Sequence, residues 1–394
     1  MTGDTRQSGD GIEAAEREAR AVLTRIAEPA EPALGALVGR IGAAAAVAAI
    51  RSGQAQTPGC AAMRIRLVGV EGVAELAAAA RLGIRFVCPG ESEWPTQLDD
   101  LGSVRPYGLW VRGPAGWRTA LLQSVSIVGS RAATGYGVHV ATELAAALAE
   151  AGWAVVSGCA FGIDVAAHRG TLAVSGFTAG VLAGGADVPY PVAHTALIER
   201  IADEGVLLSE AAPGATPARR RFLTRNRIIA ACSRGTVVVE AATRSGAATT
   251  ASWADRLGRV LMAVPGPVTS AVSAGSNEML RSRNAIPVTR VSEVVEALGA
   301  LGADPAEPRA SQGRPGDRLD DALTAVLEAM PSRGCASATA IGRECGQPED
   351  EVLPGLGELS ALGLVERVAG GWRMTRDARS RGGRRGAGEG VASG

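Results

Sequence analysis

The alternation of apolar and polar positions is clearest over residues 124–164, where it predicts two buried strands separated by a helix. Val125–Val128 is a short β-branched run of the kind that forms a buried strand. Apolar residues then recur at helical spacing over Val138–Ala151, and Gly152 ends that helix before a second apolar run at Trp153–Val156. A strand, a glycine-rich loop, a helix and a second strand form the opening unit of a parallel α/β sheet.

The same alternation continues to residue 301, and it predicts an α/β fold with a doubly wound, mostly parallel sheet and right-handed crossovers. Ala-rich helical patterns and a short helix-turn-helix pattern at 68–83 precede this core. A segment rich in Pro, Gly and charge follows it, and then three amphipathic helices and a hairpin that resemble a winged helix. We therefore divide the chain into a disordered start at 1–11, a small helical domain at 12–85, the core at 86–301, a linker at 302–317, a winged-helix-like domain at 318–376 and a disordered tail at 377–394.

The net charge is zero, from 40 basic and 40 acidic residues among 394, which excludes a nucleic-acid binder that relies on global positive charge. A local basic groove is still compatible with this balance. The six cysteines are scattered without a C-x-x-C pair, which argues against a disulfide scaffold and a zinc site. The sequence shows neither a secretory leader nor an apolar run long enough to span a bilayer, so we expect a cytoplasmic protein without a membrane partner.

The loop after the first strand, Gly129-Ser130-Arg131, is not a dinucleotide fingerprint. Its glycines are not spaced as G-x-G-x-x-G, and the second strand ends at Val155-Val156-Ser157 without an acid for a ribose hydroxyl. Backbone N–H groups at a helix N-terminus, a hydroxyl and a guanidinium suit a phosphate or another anion. The alternative is a tight turn with a solvated Arg131. A second glycine turn, with Gly158 and Gly162, ends the next strand, where open α/β sheets bind ligands.

Arginines without acidic neighbours distinguish the stretch Pro217–Arg227, which is the sharpest local charge anomaly of this neutral chain. The pattern places it between a strand and a helix that begins near residue 225, at the same edge as the glycine loops. Repeated phosphates along a nucleic-acid strand explain several clustered guanidinium groups better than one nucleotide does. The alternative is a solvated run that pairs with nearby acids. The arginines are Arg219, Arg220, Arg221, Arg225 and Arg227, and the acids are Glu199, Asp203 and Glu204.

Several groups invite a catalytic interpretation that we do not favour. Asp164 and His168 lie one helical turn apart, and we expect Asp164 to cap the helix and His168 to hydrogen-bond nearby. Glu240 lies at a strand end, where it could be mistaken for an acid catalyst. Ser157 and Ser209 are interpreted as turn or cap residues and not as nucleophiles, because no base lies beside either in the sequence. Tyr136, just after the glycine loop, is a candidate for stacking on a base, although packing at the start of a helix is the commoner role for such a residue.

A resemblance to a known family is carried by six ordered stretches: VSIVGSRAATGYG, VVSGCAFGIDVAAH, GVLAGGADVPYP, LLSE, FLTRNRIIAACSRGTVVVEAATRSGAATTASWA, and VPGPV followed by GSN. The match covers about residues 91–289, and over that range the chain resembles the DprA/Smf family of DNA-processing proteins. The resemblance implies an extended Rossmann-like core and a helical N-terminal domain of the SAM or helix-hairpin-helix kind. It also implies binding and protection of single-stranded DNA in transformation and recombination, loading of RecA recombinase, a homodimer formed through the core, no cofactor and no catalysis.

The resemblance also assigns a DNA pocket. The first loop belongs to it, as does the basic position three residues before the Phe of the family's Phe-Pro-x-Arg-Asn motif. The candidate DNA-binding residues are Gly129, Ser130, Arg131, Gly158, Gly162, Arg219, Arg221, Arg225, Asn226 and Arg227, with Asp164 and His168 as structural residues at the site and no metal ligand. The chain departs from the family at Leu223 (usually Pro), Cys159 (usually a larger apolar residue) and Arg219 (usually Lys). Leu223 leaves the path of the basic loop open.

Two alternatives come from other functional classes. A nucleotide-processing enzyme of a related Rossmann-like fold, such as a LOG-type phosphoribohydrolase, would carry Pro-Gly-Gly-x-Gly-Thr-x-x-Glu, and the corresponding stretch 239–246 lacks it. A winged-helix regulator of duplex DNA would need a basic recognition helix, whereas 348–362 has no Lys or Arg and carries four acids. We therefore expect the core to bind DNA and the last domain to offer an interaction surface.

Overall fold

The computed structural model describes residues 12–299 and 319–376. The chain divides into two compact units, Met1–Glu307 and Pro308–Gly394. The predicted disordered ends and the predicted linker at 302–317 lie outside the described residues.

The elements of the first unit are, in chain order, α1 (Ala14–Ile26), α2 (Pro32–Ile41), α3 (Ala43–Ser52), α4 (Cys60–Arg66), α5 (Gly72–Arg81), β1 (Arg85–Val87), a 3-10 helix (Thr96–Val104), β2 (Leu109–Arg112), α6 (Trp117–Leu121), β3 (Ser124–Val128), α7 (Gly135–Glu150), β4 (Ala154–Ser157), α8 (Ile163–Ala173), β5 (Thr178–Leu182), a 3-10 helix (Val192–His194), α9 (Thr195–Glu204), β6 (Val206–Ser209), α10 (Arg219–Ala231), β7 (Gly235–Val238), α11 (Gly246–Arg256), β8 (Val260–Ala263), α12 (Ala274–Ser282), β9 (Ile286–Pro287) and α13 (Val291–Leu298). Those of the second unit are α14 (Asp321–Glu328), α15 (Ala338–Cys345), α16 (Glu349–Ala361), β10 (Val365–Val368) and β11 (Gly371–Met374).

The strands of the first unit form one sheet in the order β1-β2-β6-β5-β4-β3-β7-β8-β9. Neighbouring strands from β6 across to β9 run parallel, whereas β1 and β2 add an antiparallel edge. The predicted α/β fold with a mostly parallel sheet is therefore confirmed. Winding proceeds outward from β3 to β6 and then resumes on the other side with β7. Open α/β sheets bind ligands outside the carboxyl ends of their strands at such a reversal, which here lies between β3 and β7.

Alternate residues of β3 pack against helices on opposite faces of the sheet. Val125 and Ile127 belong to a buried cluster with Leu144 of α7. Val128 belongs to the cluster on the other face, with Ile228 of α10. Full burial of each such side chain contributes about 1.5–3 kcal/mol. Because both faces are covered, the strand carries apolar residues on both sides and holds the loop that follows it in a fixed position.

Helices α1–α5 pack into a small bundle against the antiparallel edge of the sheet. Leu23 and Ile50 are completely buried inside it, and the indole N–H of Trp110 in β2 donates a 3.0 Å hydrogen bond to the hydroxyl of Thr24 in α1. The helix-turn-helix predicted at 68–83 begins earlier than expected, since its first helix, α4, already starts at Cys60. The turn between α4 and α5 contains Gly69, whose φ is +75°.

The second unit packs three helices against the antiparallel hairpin of β10 and β11. Val352, Leu356 and Leu359 repeat at helical spacing along the buried face of α16. Helices α14 and α15 begin at side-chain caps: Asp320 accepts from the N–H of Leu323 and Ser337 from that of Ala340. Across both described ranges, no single helix is long and apolar enough to cross a membrane. Helices α2 and α3, bent by 117°, meet the same criterion of length and composition when taken together.

Candidate nucleic-acid interface

A recess of about 660 Å³ opens at the carboxyl ends of β3 and β7, where the winding of the sheet reverses. Its walls are the loop after β3, the loop after β7 with the start of α11, and the first half of α10. Of the residues that the structure describes, four arginines and one carboxyl group, that of Asp164, line it. We call this recess the arginine cleft, and its arginines are Arg131, Arg219, Arg225 and Arg244.

The loop after β3 lines the cleft at the predicted positions. A side chain on Gly129 would come within 2.5 Å of Ile163, so only glycine lets this loop approach α8 so closely. The N–H of Ser130 donates a 2.7 Å hydrogen bond to the carbonyl of Glu240, while the Ser130 hydroxyl accepts from the N–H of Ala132 at 3.2 Å. Ser130 is half-buried and Arg131 is exposed, so a hydroxyl and a guanidinium face the cleft side by side.

The N-terminus of α7 is not the open anion site that the sequence suggested. The carboxylate of Glu240 accepts hydrogen bonds from the N–H and the hydroxyl of Thr134, at 2.9 and 2.6 Å. Glu240 is 1% exposed and lies so close to Gly137 that a side chain there would collide with it. An internal carboxylate therefore already occupies the positive end of this helix. The Tyr136 hydroxyl, next to it, donates a 2.8 Å hydrogen bond to the carbonyl of Pro265.

The basic stretch is helical rather than a loop, because α10 begins at Arg219 and not near residue 225. Consecutive side chains on a helix point in different directions, so the arginines separate. Arg219 is exposed and lines the cleft, as does the half-buried ring of Phe222. Asn226 also lines the cleft, and its side-chain amide donates a 3.0 Å hydrogen bond to the carbonyl of Gly246, which ties α10 to the start of α11.

Arg221 points away from the cleft. Its guanidinium lies 3.5 Å from the carboxylate of Glu28, in the segment between α1 and α2. The acids considered from the sequence have other partners, because Glu199 pairs with Arg112 and Glu204 with Arg200. Placing Arg221 in the DNA pocket is therefore corrected: it contacts the helical bundle. The sequence analysis treated this stretch as a loop, whereas its position in helix α10 directs the Arg221 side chain towards Glu28.

Arg227 is likewise part of the scaffold and not of the cleft. It has no exposed surface, and its guanidinium pairs with the buried carboxylate of Glu210. It also donates to the carbonyls of Val104, at 2.7 Å, and Thr224, at 3.0 Å. A phosphate cannot reach a guanidinium that is enclosed and bonded in this way, so its assignment as a DNA-binding residue is corrected.

Arg225 lines the floor of the cleft but is 5% exposed. Its guanidinium donates a 2.5 Å hydrogen bond to the carbonyl of Val181 and lies directly over Gly158, where a side chain would come within 2.0 Å of it. Gly162, with a φ of +79°, packs equally closely, because a side chain there would come within 2.1 Å of the carbonyl oxygen of Ser130. Both glycines thus allow close packing beneath the cleft, which is a different role from the predicted contact with DNA.

Asp164 and His168 make separate contacts and do not form a hydrogen-bonded pair. Asp164 accepts from the N–H of Ala160 at 3.3 Å, and burial raises the pKa of its carboxyl while the charge of Arg225 opposes that rise. His168 is fully buried between the hydroxyl of Thr178, at 2.7 Å, and the thiol of Cys159, at 3.5 Å. Burial lowers the pKa of His168 to about 3, with a further contribution from Arg225. The imidazole is therefore neutral.

Arg244 is a cleft residue that the sequence reasoning missed. It is exposed in the loop after β7, beside Ser245, which caps α11 by accepting from the N–H of Ala248 at 3.3 Å. A single arginine outside any basic run carries no charge signal, although its place just after a buried strand was readable from the sequence. Within the described residues, Arg131, Arg219 and Arg244 form no ion pair with an acid.

Both the sequence and the fold are similar to those of known proteins. The sequence profile of the family described as DNA recombination-mediator protein A matches residues 85–299. A DNA processing protein DprA of Mycobacterium tuberculosis is 44% identical over 371 residues, which cover 91% of this chain and 94% of that protein. Protein Smf of Escherichia coli is 35% identical over 256 residues, which cover 64% of this chain and 68% of that protein. The structure of DprA from Streptococcus pneumoniae superposes with a TM-score of 0.60 at 26% identity and covers 73% of this chain and 99% of that one.

Proposed function

The chain belongs to the DNA recombination-mediator protein A family, the DprA/Smf family of DNA-processing proteins, and we propose that it binds single-stranded DNA by its phosphates in the arginine cleft. The observation that carries the proposal is the convergence of Arg131, Arg219 and Arg244, from three separate segments, on one recess. Each is exposed and free of an acidic partner in the described ranges, so each guanidinium is available to phosphate oxygens.

The form of the cleft favours a single strand over a duplex. The phosphate-binding groups lie inside a recess between strand ends, and a flexible single strand can feed its backbone into such a groove. A rigid duplex carries its phosphates on a convex surface. The cleft also offers few groups for reading base edges, since Ser130 and Asn226 are both engaged by the protein's own backbone. Binding is therefore expected to depend weakly on base sequence.

We further propose the finer roles that family membership supports. These are protection of single strands during DNA uptake and recombination in the cytoplasm, loading of RecA onto the bound strand, and assembly as a homodimer through the core. No catalytic step enters this proposal. The carboxyl groups near the cleft, Asp164 and Glu240, are both buried and accept hydrogen bonds from backbone N–H groups, which suits a scaffolding role.

The test is salt-dependent binding of a labelled single-stranded oligonucleotide, compared with a duplex of equal length. We expect the wild type to prefer the single strand. We expect Arg131→Ala, Arg219→Ala and Arg244→Ala each to weaken binding to unrelated sequences alike and to reduce the salt slope by about one. Arg221→Ala is the matched control, because it removes a neighbouring arginine that contacts Glu28 instead of the cleft.

Preference for the duplex, or arginine variants that all bind like the wild type, would contradict the phosphate-binding role of the cleft. Turnover of a nucleoside monophosphate would support the nucleotide-processing alternative. Where the wild type does bind, RecA filament assembly on a strand coated with single-strand-binding protein tests loading. We expect the wild type to accelerate assembly and Arg131→Ala to do so less.

A further inference from the structure

The exposed phenylalanine and tyrosine rings of the described residues concentrate at one edge of the sheet. They are Tyr136, Phe161 and Tyr190, and they follow the carboxyl ends of β3, β4 and β5. Phe161 is 45% exposed and Tyr190 46% exposed. Large apolar groups left exposed together beside a polar site mark a binding surface more often than chance. Because Tyr136 is fixed by its bond to Pro265, the rings that remain to be explained are those of Phe161 and Tyr190.

Phe161 flanks the phosphate-binding loop. Two residues further on, the N–H of Ile163 donates a 3.2 Å hydrogen bond to the carbonyl of Ser130, which fixes the start of α8 against that loop. The Phe161 ring packs edge-on against the imidazole of His194, with ring centroids 4.7 Å apart. Burial lowers the pKa of His194, so a neutral imidazole supports the ring. Nearly half of Phe161 nonetheless stays open to solvent.

Tyr190 is connected to the cleft through stacked side chains. Its ring packs against that of Phe222 with centroids 5.6 Å apart, and the guanidinium of Arg131 lies 4.9 Å from the centre of the same Phe222 ring. Arg131 and Phe222 both line the cleft. A continuous row of planar groups therefore leads from the phosphate-binding arginine outward to the exposed tyrosine.

We propose that Phe161 and Tyr190 form a base-stacking subsite for the nucleotides next to those whose phosphates the arginine cleft holds. This inference rests on the proposed function. Phe222, which lines the cleft, contacts both Arg131 and Tyr190. Phe161 lies two residues before Ile163, which is bonded to the loop after β3. Both rings therefore flank groups that line the cleft. The faces of all four bases stack on aromatic rings, so the subsite adds affinity without sequence preference. The arginines hold the backbone and the rings hold the bases.

The experiment compares the affinity of the full-length protein for oligothymidylate and for an abasic oligonucleotide with the same length and backbone. We expect the wild type to bind oligothymidylate more tightly. Phe161→Ala and Tyr190→Ala should each weaken its binding at least about fivefold, with little effect on the abasic strand and none on the salt slope. Phe161→Tyr and Tyr190→Phe should bind like the wild type, because each keeps a ring. Leu122→Ala, a 47% exposed apolar residue just before β3, is the control.

A spectroscopic signal complements the affinities. A 2-aminopurine base in the bound strand should change its fluorescence on binding to the wild type and less on binding to Phe161→Ala. Equal affinity of the wild type for both oligonucleotides, or alanine variants that bind oligothymidylate like the wild type, would overturn the subsite while leaving phosphate binding intact. Variants that change the oligomeric mass but not the base dependence would also overturn it, in favour of a protein interface. Failure of the wild type to bind either strand would instead contradict the proposed function.

Discussion

The carboxylate of Glu240 closes the N-terminus of α7 by accepting hydrogen bonds from both the N–H and the hydroxyl of Thr134. The position beyond a first parallel strand and before its helix is one at which α/β folds commonly hold a ligand's phosphate. Here that position is occupied by the carboxylate of Glu240, a residue just after the neighbouring strand β7. Under the proposed function, phosphate binding therefore falls to guanidinium groups around the cleft. The loop that carries Ser130 and Arg131 is held in place by the protein's own hydrogen bonds.

Replacing Glu240 with Gln should loosen this loop. The change removes a charged acceptor and its attraction to the helix terminus, so we expect the free energy of unfolding to fall by about 1–2 kcal/mol. Urea denaturation measures the loss. Single-strand affinity should fall as well, because Ser130 is bonded to the carbonyl of the same residue. Glu278→Gln, in an exposed pair with Arg281, should change neither quantity appreciably. An unaltered unfolding curve for Glu240→Gln would contradict the stabilising role of the Glu240 carboxylate.

Arg227 should matter for stability and not for DNA binding. Arg227→Met leaves the carboxylate of Glu210 buried without its partner, and breaking such a pair destabilises by about 3–5 kcal/mol. The double variant Arg227→Met with Glu210→Met should recover part of that loss, because no unpaired charge remains. Urea denaturation gives both values. Single-strand affinity, measured under conditions in which the variants stay folded, should match that of the wild type. A reduced salt slope for Arg227→Met would instead show that Arg227 contacts the phosphates of the bound strand.

The buried His168 should make stability depend on pH. The Thr178 hydroxyl donates to the carbonyl of Val155 at 2.8 Å, so it accepts from Nδ1–H of His168, and Nε2 is left to accept from the Cys159 thiol. The pKa of His168 is lowered from 6.5 to about 3 in the folded protein. Between these values the unfolded chain binds a proton that the folded chain does not, so the free energy of unfolding decreases as the pH falls below 6.5.

We expect His168 to contribute a loss of about 2 kcal/mol between pH 7 and pH 5. The measurement is the difference in urea stability between the wild type and His168→Gln across that range. His168→Gln should be less stable at pH 7 and should approach the wild type as the pH falls, since it lacks the titrating group. Asp164 and the remaining carboxyl groups are common to both proteins and cancel in the difference. Parallel pH profiles would mean that the folded protein binds the proton at His168 as readily as the unfolded chain.

The core sheet was predictable because its signals are local. Val125–Val128 and the helix after it follow from the repeat of apolar residues along neighbouring positions, and the glycine loop between them follows from residue types. The placement of Ser130 and Arg131 beside a ligand recess was also readable, since parallel strands bring the loops at their carboxyl ends together. The winding reversal that locates the cleft depends on strand order, which the sequence pattern does not give.

The sequence by itself thus determined the strand–loop–helix units and the segments that carry arginines, because periodicity and composition act between residues close in the chain. The tertiary structure decided which arginines line the cleft. Arg219 remains open to the cleft, whereas Arg221 meets Glu28, 193 residues away in the chain, and Arg227 is enclosed with Glu210. It also brought Arg244 to the cleft and Glu240 to Thr134. A charged side chain is buried only where a partner's attraction and hydrogen bonds offset the cost of removing it from water. That partner can be distant in the chain, and no local pattern records it.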